Sequence, residues 1–307
     1  QYHTGWVGYI RMKWRFLFSS KVTKWYDRVI LSGEASTAVH LVEKNVKTFY
    51  YAHSLPHELF DGRKEYMKRV PFFYHEFFMI ALFVRKYLFL YEMRKIGKIM
   101  TNSLHNKKFL EEWTGRQDIE ILYPPVNMLR FRPVRDKVPY TIEEHNNVES
   151  MITKEITEYY ISFARLTEKK RIDKIVHAFV HMPEKNLIII YNPDDPDRER
   201  IMKMGMGCNN IFFHYEPSDM KMAQIVASSV ASISVAKDED FGSVATESMS
   251  CGIPLIAVDE GGFQDTIVNG KTGILMPPDF TLYQIMEWVK WMTPARANSM
   301  KDACLER

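Results

Sequence analysis

Cysteine is scarce. Cys208, Cys251 and Cys304 are the whole complement, odd in number and far apart. They form no C-x-x-C, so neither a disulfide framework nor a zinc spacing is indicated, and a reduced, cytosolic compartment is the default. Net charge is also small, +3 at neutral pH. That balance is too small to suggest a nucleic-acid binder, and no P-loop or RNA-binding signature accompanies it. Long apolar runs are lacking too. The most aromatic stretch, 72–93, is interrupted by His75, Glu76, Arg85 and Lys86. Its longest uncharged run, Phe77 to Val84, is far below the roughly 20 residues that span a bilayer. No secretory signal, internal repeat or low-complexity tract is visible. The chain opens on Gln1 rather than Met, which suggests sequence upstream of it.

What is present has a globular balance. Hydrophobic residues make up 46% and charged residues 26% of 307, enough chain for two domains. Two stretches leave peripheral membrane contact open: 72–93, and 6–18 with its mixture of Trp, Phe, Arg and Lys. The alternative for both is helices packed in a core or between domains.

The first half reads as an α/β domain over 1–133. Short buried strands are expected at 28–32, 46–52, 97–102 and 119–122, the last ended by Pro124 and Pro125. A helical stretch covers about 65–95. Ser103 suits the N-cap of a second helix that Gly115 closes. Residues 134–157 are polar, charged and irregular, and read as an interdomain connection. From 158 to 307 strands and helices alternate. Strands are expected at 159–163, 187–191, 210–214, 231–236, 254–258 and 272–276, with helices at 171–180, 197–204, 219–228 and 244–250 between them. Such alternation implies a parallel, doubly wound sheet whose ligands bind at the C-terminal strand ends.

The chemistry concentrates in 237–262, K-D-E-D-F-G-S-V-A-T-E-S-M-S-C-G-I-P-L-I-A-V-D-E-G-G. A strand runs into a short acidic loop, and a helix starts near Ser243. Gly242 lets backbone approach a ligand closely. The free N–H groups and dipole of the helix start suit a phosphate or sugar oxygen. Glu239 sits in the loop, and Glu247 lies one turn inside the helix. Asp238-Glu239-Asp240 is better explained by this glutamate spacing than as a metal motif.

This stretch resembles the E-x-x-x-x-x-x-x-E motif of the large retaining GT-B glycosyltransferase family, glycosyl transferases group 1 (family 4), on its bacterial mannosyltransferase side. I-S-F-A-R-L-T-E-K-K-R at 161–171 resembles the family's strand, G-R-L-x-x-x-K and helix. Y-Y-A-H-S-L-P-H-E-L-F-D at 50–61, T-N-S at 101–103 and Y-P-P-V-N at 123–127 continue the likeness. Departures are Ala164 for Gly, Asp240 for Gly, His57 for Arg, Asn127 for Asp, and N-P-D-D-P-D where a Gly-rich loop is usual after 187–191.

The resemblance implies two Rossmann-like domains with parallel sheets facing a cleft, the first of them incomplete. It implies a retaining hexosyltransferase, with mannose from GDP-mannose preferred over a UDP-hexose, and a glycan or lipid-linked acceptor. No metal or other cofactor is required, because Arg165 and Lys170 would grip the donor diphosphate. Glu239 and His53 would face the donor sugar, and Glu247 the ribose hydroxyls. The backbone of Phe241, Gly242, Ser243 and Val244 would hold sugar or phosphate oxygens. F-H-Y-E at 213–216, with His214, falls where the base would lie. Lys169 and Arg171 would belong to a solvated basic face. A non-catalytic sugar-nucleotide-binding subunit is the rival of another class.

Overall fold

The computed structural model describes residues 26–68, 70–145, 151–215 and 218–307. The segment 6–18 and Glu216, both singled out above, lie outside them. The chain divides into two compact units, Gln1–Tyr123 and Pro124–Arg307.

In the first unit β1 (Arg28–Ser32), β2 (Lys47–Ala52), β3 (Lys98–Thr101) and β4 (Glu120–Ile121) form a parallel sheet in that order. Leu31, Tyr50, Ala52 and Ile99 are buried in its core, as the apolar runs predict. Helix α1 (His75–Lys95) covers the sheet with a single stripe: Leu82, Phe89 and Met93 are buried. The spacing i, i+7, i+11 is one face of a helix. Most of its other apolar side chains are exposed, and the expectation of a helix buried in a core is corrected for them. Phe77 is 69% exposed, and Ile80, Phe83, Val84, Tyr87, Leu88 and Tyr91 are exposed with it; Phe72, in the turn just before the helix, is 87% exposed. Among the described residues no helix is long and apolar enough to cross a membrane.

Helix α2 (Leu104–Thr114) has the predicted ends. Ser103 Oγ accepts the Asn106 N–H at 3.0 Å, and Gly115 closes it at φ +71°. Behind it, Arg116 donates to the Met93, Ile96 and Gly97 carbonyls and to Asp118, tying the end of α1 to the start of β3.

The expected irregular connection at 134–157 is instead an antiparallel hairpin of β5 (Tyr140–His145) and β6 (Met151–Ile156). Two anchors explain it. Tyr140 and Ile156 are buried with Phe131 and Tyr159 in the second unit's core. The strand leading in is pinned by Lys137 Nζ to the Ser229 carbonyl at 2.5 Å and by Val138 N–H to Ser228 Oγ at 3.1 Å. Contacts therefore place the division at Tyr123/Pro124, ten residues before the boundary expected from composition.

The second unit is built on a six-stranded parallel sheet, order β12-β11-β10-β7-β8-β9. Its strands are β7 (Tyr159–Ser162), β8 (Asn186–Tyr191), β9 (Ile211–Tyr215), β10 (Ser232–Ser234), β11 (Leu255–Val258) and β12 (Gly273–Met276). The crossovers carry α3 (Ile172–Val180), α4 (Arg198–Gly205), α5 (Asp219–Ser228) and α6 (Ser243–Ser250). β7, β10 and β11 are buried along their whole length, as central strands of a sheet covered on both faces are, and the unbroken apolar run of β11 (L-I-A-V) suits that position. Helices α7 (Leu282–Trp291), α8 (Pro294–Ser299) and α9 (Lys301–Glu306) follow, beyond the elements expected from sequence. Their starts carried a signal: Thr281 and Gln284 form a capping box, and Thr293 caps α8 ahead of Pro294.

Strand order reverses between β7 and β10, neighbours paired through Ile161 and Ser232. In an open parallel sheet this reversal opens a crevice at the carboxyl ends of the two strands. The loops leaving β7 and β10 carry the predicted site.

Candidate active site

Lys170 ends a 3-10 turn (Glu168–Lys170) after β7, and its Nζ donates to Glu239 Oε2 at 2.5 Å. Both side chains are mostly buried. The backbones are joined beside them, Lys237 N–H to the Lys169 carbonyl at 2.8 Å. Two of the predicted residues thus meet directly at the switch point. An ammonium has three donors, so Lys170 can keep Glu239 and still offer N–H groups to an anion.

Arg165 is not drawn into that pair. Its Nε donates to Asp195 Oδ1 at 3.1 Å, while the side chain as a whole is 67% exposed. Asp195 is buried, and its Oδ2 accepts the Leu166 and Asn192 N–H groups, each at 3.0 Å. A carboxylate held by three donors fixes the guanidinium stem and leaves the Nη groups facing outward. Asp195 lies in the N-P-D-D-P-D loop, which sequence reasoning passed over for want of glycines.

The loop from β10 turns into α6 at Gly242, whose φ of +84° suits glycine. A Cβ there would lie 2.9 Å from the Phe263 ring. The first amides of α6, at Ser243 and Val244, have no acceptor one helical turn back. Phe241 itself is buried, so its contribution to a ligand would be its backbone. Gly262 lets a second loop press against this one. Its N–H donates to the Glu239 carbonyl at 2.6 Å, and a Cβ on it would sit 2.4 Å from Phe241 Cα.

Glu247, on the second turn of α6, makes no hydrogen bond among the described residues. Burial pushes its carboxyl up to about 7, and Arg130 pulls the other way. Arg130 follows a turn in which Asn127 Oδ1 accepts the Leu129 and Arg130 N–H groups at 3.1 and 3.2 Å. An amide oxygen there does the accepting that a carboxylate would, so the exchange of Asp for Asn keeps the turn.

Arg171 is corrected. It is not on a solvated face: it is mostly buried, with Nη2 donating to Glu260 Oε1 at 3.1 Å and its guanidinium 5.8 Å from the Phe280 ring centre. Lys169, by contrast, is exposed. His214, on β9, is hydrogen-bonded through Nδ1 to the Tyr140 hydroxyl at 2.6 Å. Burial first, then Lys221, lowers its pKa, while burial raises Tyr140 to about 12.

In the first unit His53 stands exposed just past the end of β2, with Nδ1 2.9 Å from Ser32 Oγ. Buried Asn102 donates to the His53 carbonyl at 2.9 Å, and Thr101 Oγ1 to the Ala52 carbonyl at 2.9 Å. The T-N-S run thereby fixes the strand end that presents His53. His57 is structural: it bonds Asp61 at 3.0 Å and packs edge-on against Phe109 and Trp113.

Residues 145–291 match the family model "Glycosyl transferases group 1". An alpha-1,3/1,6-mannosyltransferase (ALG2) of Dictyostelium discoideum is 23% identical over 281 residues, 82% of this chain and 64% of that protein. The chain spans only 36% and 35% of the length of two other curated relatives it matches. Among solved structures, sucrose-phosphate synthase from Thermosynechococcus elongatus superposes with a TM-score of 0.72 at 19% identity, covering 92% of this chain and 68% of that one. The Anabaena protein HepE, solved with UDP-glucose, gives 0.63 at 13% identity, covering 91% and 74%. The chain has the fold of GT-B glycosyltransferases, and its second unit is similar to the glycosyl transferases group 1 family over residues 145–291.

Proposed function

We propose that the protein is a retaining glycosyltransferase that moves a hexose, mannose in the first instance, from a nucleotide sugar to a glycan or lipid-linked acceptor. The observation that carries this reading is the Lys170–Glu239 pair at the β7/β10 switch point, beside the open helix start at Ser243. The donor diphosphate is held by Lys170, Arg165 and the first amides of α6. Glu247 accepts the ribose hydroxyls, Glu239 contacts the donor sugar, and His214 lies toward the base. His53 is the first unit's contribution to the chemistry.

Charge grows on the diphosphate as its bond to the sugar breaks. Fixed cations and helix amides stabilise that charge without reorganising, so the protein's own groups serve in place of a metal ion. The acceptor oxygen attacks the face the phosphate leaves. Its proton passes to the departing phosphate oxygen, so configuration is retained and no side chain is required as nucleophile. A UDP-hexose donor is the second reading, favoured by the likeness to the fold solved with UDP-glucose.

The exposed aromatics of 72–91 support an acceptor presented at the cytoplasmic face of a membrane, with this segment in peripheral contact. Incubation with GDP-mannose and UDP-glucose, followed by mass spectrometry of the sugar released to water or to a polyprenyl phosphate acceptor, tests the proposal. Release or transfer from either donor supports it. A non-catalytic subunit would leave both donors intact.

A further inference from the structure

Among the described residues, two non-glycine residues have left-handed backbone: Arg171 at φ +50° and Asp238 at φ +47°. Side chains with a Cβ rarely hold this conformation without help. Both are tied to one atom. Glu260 Oε1 accepts from Arg171 Nη2 at 3.1 Å and from the Asp238 backbone N–H at 3.2 Å. Arg171 directly follows Lys170, and Asp238 directly precedes Glu239. The two strained residues therefore bracket the two members of the 2.5 Å pair. Glu260 comes from a third loop, after β11, and is mostly buried. Next to it, the Gly262 amide reaches the Glu239 carbonyl.

We propose that Glu260 is a positioning residue: one carboxylate oxygen holds the loops after β7 and β10 in the strained backbone that brings Lys170 onto Glu239. Among the described residues its carboxylate makes no hydrogen bond to either partner of the pair. Without it, Arg171 and Asp238 relax toward negative φ, and each carries its neighbour away. The effect on ligand binding rests on the functional reading above; the effect on the loops does not.

The test uses four full-length proteins: wild type, Glu260→Ala, Glu260→Gln and the triple variant Glu260→Ala/Arg171→Gly/Asp238→Gly. Amide hydrogen exchange on unliganded protein reads the loops at 165–171 and 237–242. Calorimetry with UDP and GDP reads the site. Glu260→Ala should speed exchange in both loops by about tenfold while β8 and α3 keep their protection. It should weaken whichever nucleotide the wild type binds by about tenfold, with Glu260→Gln, which keeps an acceptor oxygen, lying between. Glycine adopts positive φ without strain, so the triple variant should recover affinity to within about threefold of wild type. A direct ligand contact by Glu260, or a loss of general stability, would not be rescued by glycines. Unchanged exchange in both loops overturns the proposal, and so does a triple variant as weak as Glu260→Ala. If the wild type binds neither nucleotide, the functional reading fails, and the exchange data alone decide on the clamp. If Glu260→Ala does not fold, Glu260→Gln carries the same comparison.

Discussion

Lys170 Nζ lies 2.5 Å from Glu239 Oε2, across 69 residues of sequence and between the ends of two neighbouring strands. The bond preorganises a cation at the switch point before any ligand arrives. Replacing Lys170 by Met removes the charge and keeps the stem. Turnover of the donor should fall by about a hundredfold or more, the usual cost of losing a preorganised electrostatic partner. Glu239→Gln keeps an acceptor but not the charge, and should lose less. Initial rates of sugar release from GDP-mannose and UDP-glucose give both numbers. Equal rates in wild type and Lys170→Met would remove Lys170 from the site.

Glu247 should make nucleotide binding depend on pH. Its carboxyl is raised from 4.5 to about 7 by burial, so near neutrality it is partly protonated. Ribose hydroxyls donate to the ionised form and pull the pKa down, so binding releases a proton and tightens as pH rises through 7. Stability of the free protein moves the other way. Glu247 favours the fold most below its ordinary pKa of 4.5, and that contribution is lost as pH rises to about 7. Calorimetry in buffers of different ionisation heat between pH 6 and 8 reads the proton. Glu247→Gln should abolish the release and flatten the profile; an unchanged profile in that variant would rule out this origin.

Much of the second unit was legible because runs such as L-I-I-I-Y at 187–191 and the segment 254–258 can be satisfied only in a doubly covered sheet. Glu239, Glu247, Arg165 and Lys170 were singled out through the resemblance of their motifs, and the structure brings two of them, Lys170 and Glu239, into direct contact. What escaped depends on distant partners. Arg171 meets Glu260 89 residues away, and Arg165 meets Asp195 30 residues away, so local pattern gives neither. The hairpin at 140–156 escaped because two buried anchors, Tyr140 and Ile156, lie in an otherwise polar stretch. The exposure of 72–91 escaped for the opposite reason: an apolar helix suits a core or a surface equally by composition.

Arg116 should matter for stability. Its guanidinium serves three carbonyls at the α1–β3 junction as well as Asp118. Arg116→Ala leaves carbonyls at that junction without their donor. A loss of about 2–3 kcal/mol is expected, the scale of hydrogen bonds to a charged group. Urea unfolding followed by the fluorescence of Trp113, in the same unit, would register it. A midpoint shift no larger than that of an exposed control such as Lys108→Ala would show the brace to be idle.

The aromatic surface of 72–91 should bind anionic vesicles. Each Phe fully removed from water contributes about 1.5–3 kcal/mol. Phe77→Glu/Phe83→Glu should therefore lower the bound fraction by about a hundredfold or more in partition coefficient, without lowering nucleotide affinity. Co-sedimentation with vesicles of mixed neutral and anionic lipid measures this. Wild-type protein that stays in the supernatant at low salt would favour an acceptor away from the membrane.

The account turns most directly on whether a nucleoside diphosphate binds the second unit through its own cations and amides. Thermal unfolding with UDP and with GDP, in the presence of a chelator, measures that. A ligand at about 100 times its dissociation constant adds about 2.7 kcal/mol, a shift of several degrees for a domain of this size. The account predicts that shift for at least one of the two nucleotides in wild type, and a much smaller one in Glu247→Ala and Lys170→Met. No shift for either nucleotide at millimolar concentration, or a shift that appears only when a divalent ion is added, would contradict it.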